Sequence, residues 1–168
     1  KQYAKKNKIR NVKFIKTSVL KLPFKDNSFD FVFCKGVLHH TGNLNKGLYE
    51  IKRVLKKESY AFIYLYGSGG IFWNTRKWMR KVISKIPIDY TIKVLRDIGM
   101  PSRRTIFVDS WYVPIEEHVN KKNLENWFKN NNFTFTKYKN AKKTELEYRE
   151  NKDKFFEQMY GSGELRYT

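Results

Sequence analysis

Leu22-Pro23-Phe24, Ser28-Phe29-Asp30-Phe31-Val32-Phe33-Cys34-Lys35-Gly36, Leu38-His39-His40 and Glu50-Ile51-Lys52-Arg53-Val54-Leu55 follow one another across residues 22–55. Phe29 to Cys34 is nearly continuous aromatic and β-branched sequence, which predicts a parallel strand covered on both faces. Asn43 is suited to cap a helix, and Leu44, Leu48, Ile51 and Leu55 recur at helical spacing behind it. Tyr60 to Tyr66 is a second buried strand. Strand, helix and strand in this order predict a parallel β-α-β unit, in which ligands sit beyond the carboxyl ends of the strands.

Working outward, Val12 to Ile15 reads as a further strand, and Pro23 makes Lys21 to Asn27 a loop. The strand ends Lys16–Ser18, Cys34–Gly36 and Tyr66–Gly70 should then share one rim. Ile71 to Ile98 reads as two helices broken at Pro87, and residues 71–118 are expected to form a helical lid over that rim. Gly67-Ser68-Gly69-Gly70 lacks the spaced glycine, lysine and hydroxyl residue of a phosphate loop and reads as a hinge, as does Gly161-Ser162-Gly163. Asn123 to Lys129 is a short helix, Phe133 to Tyr138 alternates as a strand, and Leu165 to Tyr167 is a terminal antiparallel strand. The fold class is therefore α/β, a partial doubly wound sheet with an inserted helical lid.

The order and spacing of the residues quoted at 22–55 resemble the middle of class I S-adenosylmethionine-dependent methyltransferases, in the group of the ubiquinone and menaquinone biosynthesis enzymes. The resemblance implies a Rossmann-like methyltransferase fold and S-adenosylmethionine as cofactor. It implies that Ser18 and Val19 meet the adenine, Ser18 standing where the family usually has an aspartate. Cys34, Lys35 and Gly36 would line the methionine and sulfonium portion, with the Lys35 ammonium turned to solvent. The family's glycine-rich turn and ribose-binding acidic residue are not in this sequence, so residues 1–168 read as a single truncated methyltransferase domain that binds cofactor poorly alone. A second departure is Lys57-Glu58-Ser59, where the family usually writes Pro-Gly-Gly.

Methyl transfer to an oxygen acceptor requires a base, and a histidine on the rim has the right acidity. His39 is the candidate catalytic residue, with His40, Asp109 and Tyr112 on the substrate side. The competing structural readings are that the histidine pair forms the helix entry and that Asp109 caps a turn while Tyr112 packs the lid. Asp109 to Pro114 reads as a loop before the Asn123 helix. One cysteine, two adjacent histidines and a distant His118 match no zinc-ligand spacing, so no metal site is expected.

The 168 residues carry 35 basic and 16 acidic side chains, a net charge of +19, with 40% hydrophobic and 17% aromatic residues. That apolar content excludes wholesale disorder. The charge raises a second function, an RNA-binding methyltransferase or a non-catalytic binding module. Against it, 26 of the basic residues are lysine and only 9 are arginine, scattered rather than clustered, and no nucleic-acid-binding motif is present. No apolar run reaches the roughly 18 residues of a membrane span. A third reading places the helix bearing Trp73 and Trp78 at a membrane surface. The favoured partner is a small-molecule or lipid acceptor such as a quinone or sugar, and the single Cys34 fits a cytoplasmic setting.

Overall fold

The computed structural model describes residues 1–137, 158–162 and 164–168. Its centre is the unit read from the sequence. Phe29–Lys35 forms β1, Leu44–Val54 forms α2, and Leu55–Tyr66 forms β2, parallel to β1. Ahead of them stands a short helix α1, Gln2–Lys6. Glu164–Tyr167 forms β3, which adds antiparallel to the other edge of β2, so the sheet is mixed, in the order β1-β2-β3. This is the expected α/β class with its terminal antiparallel strand.

Helix α2 begins where predicted, because the Asn43 Oδ1 accepts from the Lys46 N–H at 3.1 Å and satisfies one orphan donor. Its stripe of Leu48, Ile51 and Val54 is buried with Leu38, Leu65 and Leu165, which fixes the helix against the sheet. Each such aliphatic side chain contributes about 1.5–3 kcal/mol by leaving water. Gly47 also faces inward, and a Cβ there would collide with the Leu38 side chain. Glycine at this point lets α2 press against the 3-10 turn Leu38–His40 that carries His39 and His40.

The quoted motif has a mechanical meaning. The Arg53 guanidinium donates to both carboxylate oxygens of Glu50 at 2.8 and 2.9 Å, to Asp26 at 2.7 Å, and to the carbonyls of Phe24 and Leu22. Glu50 in turn accepts from the Leu22 N–H at 2.7 Å. The last turns of α2 therefore clasp the Leu22-Pro23-Phe24 loop and hold it below the rim.

Several readings need correction. Val12 to Ile15 forms no strand; its side chains are largely exposed, and among the described residues β1 has a ladder partner on one edge only. β1 is not covered on both faces: Val32 and Cys34 turn to the core, while Phe31 and Phe33 stay exposed and Phe33 stacks on Phe62 at 5.0 Å. Of Phe133 to Tyr138, only an isolated bridge from Lys137 to Tyr167 and paired hydrogen bonds between Thr136 and Thr168 form; Tyr138 lies outside the described residues.

β2 begins earlier than expected, directly at the end of α2. Phe29 pairs with Leu55 but Phe31 pairs with Tyr60, so residues 56–59 bulge out of the ladder. Glu58 takes a left-handed backbone there, φ 54°, in the stretch where the resemblance would place glycines.

Beyond β2 come α3, Gly70–Ile83, and α4, Ile88–Asp97, separated at Pro87 as read. A 3-10 turn leads into α5, Arg104–Trp111. Asp109, Ser110 and Trp111 are thus the last turn of a helix and not a loop. Continuous backbone hydrogen bonding, including Tyr112 N–H to Val108 O at 2.9 Å, outweighs the turn preference of Asp and Ser. Helix α6 spans Lys121–Asn130, capped by Asn120. The two glycine stretches read as hinges pack on one another: Ser162 N–H donates to Ser68 O at 2.9 Å, and the Trp73 Nε1–H donates to Tyr160 O at 3.0 Å. Side chains at Gly70 or Gly161 would strike the opposing backbone.

Candidate functional site

The rim assembles even though its first strand does not form. Thr17 to Lys21 closes a tight turn, with the Thr17 hydroxyl on Lys21 O at 3.2 Å and Ser18 Oγ accepting from the Leu20 N–H at 3.2 Å. That turn brings Ser18, Val19 and Leu20 opposite Gly36, Val37, His40 and Thr41 around an open cleft of about 480 Å³. Three of the five predicted cofactor residues therefore converge. Gly36 holds φ 70°, which costs other residues strain, and the nearest atom to a Cβ placed there is 3.9 Å away on Tyr64. A Cβ there would make only ordinary van der Waals contact with Tyr64, so the backbone conformation rather than crowding calls for glycine, and Gly36 lines the cleft.

The other two predicted residues sit differently. Cys34 is buried in the core behind the cleft, where burial pushes its thiol up to about 11 and leaves it unreactive. Lys35 is exposed.

The histidines divide. His39 is fully buried, its ring stacked on Tyr66 with centroids 3.9 Å apart. Neither of its ring nitrogens meets a hydrogen-bond partner among the described residues. Burial, helped by the neighbouring His40, pushes it down to about 4, so it is neutral. His40 is the histidine that lines the cleft. Its Nδ1 lies 2.7 Å from Ile115 O and its Nε2 is 3.6 Å from Asp109 Oδ1. A carbonyl oxygen only accepts, so Nδ1 carries the proton and Nε2 keeps its lone pair in the neutral ring.

Asp109 also accepts from the Tyr66 hydroxyl at 3.2 Å. Burial, with the Asp109 carboxylate beside it, pushes the Tyr66 phenol up to about 12. His40, Asp109 and Tyr66 thus form one polar cluster joining the end of β2 to α5. Tyr112 is elsewhere: its hydroxyl meets the Thr91 hydroxyl at 2.6 Å and ties α5 to α4.

Sequence reading missed a second cluster. Glu116, nearly buried, pairs with Arg76 at 3.2 Å, with Arg80, and with His118 Nε2 at 3.0 Å. Burial opposes ionisation of Glu116, yet the His118 hydrogen bond and the two guanidinium charges hold it below its usual range. The visible signal was Arg76 and Arg80 four apart on a helix; nothing local pointed to Glu116. A cavity of about 490 Å³ opens beside this cluster, walled by Trp73, Asn74 and Lys77. The Tyr66 ring of the first cluster also faces the second, 6.1 Å from the centroids of both His40 and His118. Among the described residues no group of His, Cys, Asp and Glu is arranged to hold a metal ion.

Residues 1–63 match the family described as methyltransferase domain, Methyltransf_11. The chain is 36% identical over 56 residues to the uncharacterized methyltransferase YcgJ of Bacillus subtilis, a stretch covering 33% of this chain and 22% of that protein. It is 46% identical over 57 residues to the uncharacterized methyltransferase C1B3.06c of Schizosaccharomyces pombe, covering 34% of this chain and 20% of that one. The crystal structure of the Bacillus YcgJ protein superposes with a TM-score of 0.54 at 19% identity, over 82% of this chain and 48% of that chain, and shows the shared fold. The matched stretches span about a fifth of the curated relatives, and the chain covers about half of the solved one.

Proposed function

We propose, from the match of residues 1–63 to a methyltransferase domain, that the protein carrying this chain transfers a methyl group from S-adenosylmethionine. One observation carries the reading: every residue lining the 480 Å³ cleft, from Ser18 to Thr41, falls inside the family-matching span. When bound, S-adenosylmethionine supplies an electrophilic methyl on a sulfonium.

The residues present fit such a ligand. The Ser18 hydroxyl and the Val19 backbone offer hydrogen bonds to an adenine edge, and Gly36 offers bare backbone to an extended chain. Lys35, exposed, keeps its ammonium from facing a positive sulfonium. His40 Nε2 accepts the proton released by a hydroxyl or ammonium acceptor, and Asp109 stabilises the imidazolium formed. In this reading His39 is a positioning residue, which orders the turn by stacking on Tyr66. Helices α3 to α5 act as the lid, because α5 delivers Asp109 to His40. The acceptor is a small molecule, quinone lipid or sugar, and the setting is the cytoplasm.

Calorimetry tests the cofactor half. Ser18→Ala should weaken S-adenosylmethionine binding about fivefold, the loss of roughly 1 kcal/mol of hydrogen bonding. Gly36→Val should weaken it at least tenfold through backbone strain and blocked approach. Unchanged affinity in both variants would overturn the assignment of this cleft.

A further inference from the structure

Helix α3 is turned inside out. Its inward face carries Trp73 and two arginines, Arg76 and Arg80, with Arg76 only 8% exposed. Its outward face carries Ile71, Trp78 and Val82, at 58%, 67% and 56% exposure, with Met79 at the margin and Ile86 just beyond the helix end. Positions 71, 75, 78 and 82 form one stripe on a helix, and only Thr75 among them is polar. A charged face inward and an apolar face outward reverses the usual arrangement, and an exposed apolar stripe of this kind marks a contact surface. Of the two tryptophans singled out in the sequence, only Trp78 reaches that surface.

Charge identifies what covers it. Lys77, Lys81 and Lys85 run along one flank of the stripe, all exposed, and α3 contains no acidic residue. Between residues 70 and 111 there are nine basic and three acidic side chains. A second copy of this chain would bring the lysine rows and two charges of +19 together, which disfavours self-association. An acidic lipid surface satisfies both features: it takes tryptophan and aliphatic side chains at the headgroup boundary and pairs the flanking lysines with phosphate. We propose that the outward face of α3 seats on an anionic membrane surface. The helix has 14 residues, and among the described residues no helix is long and apolar enough to cross a membrane, so it lies in the interface plane.

The test is co-sedimentation of the full protein with vesicles of phosphatidylcholine alone or mixed equally with phosphatidylglycerol, while following tryptophan emission. Binding is expected on the mixed vesicles, with a blue shift that disappears in Trp78→Ser. Lys81→Gln and Lys85→Gln should each weaken partition about fivefold. Trp78 is exposed, so its substitution leaves the fold intact, verifiable by an unchanged circular dichroism spectrum. Absence of binding to anionic vesicles overturns the proposal. So does equal binding by Trp78→Ser, a dimer that Trp78→Ser dissociates, or a Trp78 already shielded from a soluble quencher without lipid. None of these readouts depends on S-adenosylmethionine, so the proposal stands or falls apart from the assigned reaction.

Discussion

The Nδ1 of His40 lies 2.7 Å from the carbonyl oxygen of Ile115, a residue 75 positions away in the chain. This contact fixes the ring's tautomer and turns Nε2 toward Asp109 at the edge of the cleft. His40→Gln should therefore lower kcat about a hundredfold or more with little change in KM, the usual size of a lost general base. Imidazole nitrogen spectra should show Nδ1–H in the neutral ring. A variant retaining full turnover would remove His40 from the reaction.

Acid should act first through His39. Its ordinary value is 6.5 and the folded chain holds it at about 4, so the unfolded chain takes up the proton more readily. The stability contributed by the neutral ring is complete above pH 6.5 and is lost as the pH falls toward 4. His39→Phe keeps the stack on Tyr66 and removes two unpartnered nitrogens, so urea midpoints measured from pH 7 to pH 4 should flatten across that window.

Glu50 titrates lower. Hydrogen bonding from Arg53 pulls its carboxyl down from 4.5 to about 2, so its contribution is complete above about pH 4.5 and drains away as pH falls toward 2. Arg53→Met leaves Glu50 without its main partner and frees the Leu22-Pro23-Phe24 loop. Denaturant unfolding at pH 7 should report a clear loss of stability. A loss below 0.5 kcal/mol, the roughly neutral range of surface substitutions, would show that the clasp is incidental.

Glu58 sits at φ 54° in the bulge between α2 and the regular part of β2. Glu58→Gly should relieve this conformation and raise stability by about 0.5–1 kcal/mol, seen as a higher thermal midpoint. A lower midpoint would mean that chain entropy outweighs the strain.

The sequence exposed the local structure well and the long-range contacts poorly. The Asn43 cap, the Leu48-Ile51 stripe and the Pro87 break are signals carried by neighbours in the chain, and each appears in the structure. Val12 to Ile15 has strand composition, but a strand also needs a ladder partner, which composition does not report. Ser18, Val19 and Gly36 were grouped by the family resemblance rather than by any local signal, and they line one cleft. The distinction between His39 and His40 was not, because it depends on which ring meets Tyr66 and which meets the Ile115 carbonyl, a backbone atom with no residue-type signature. The Glu116, Arg76 and Arg80 cluster was hidden for the same reason: its members are joined across 36 to 40 residues.

Photolabelling with S-adenosylmethionine is the most direct test of the cofactor cleft. The protein is irradiated with methyl-labelled cofactor, digested, and the labelled peptides mapped. Label in the peptides containing Ser18 to Leu20 or Gly36 to Thr41, displaced by S-adenosylhomocysteine, is the predicted result. Label confined to other peptides, or undiminished by the competitor, would contradict the assignment.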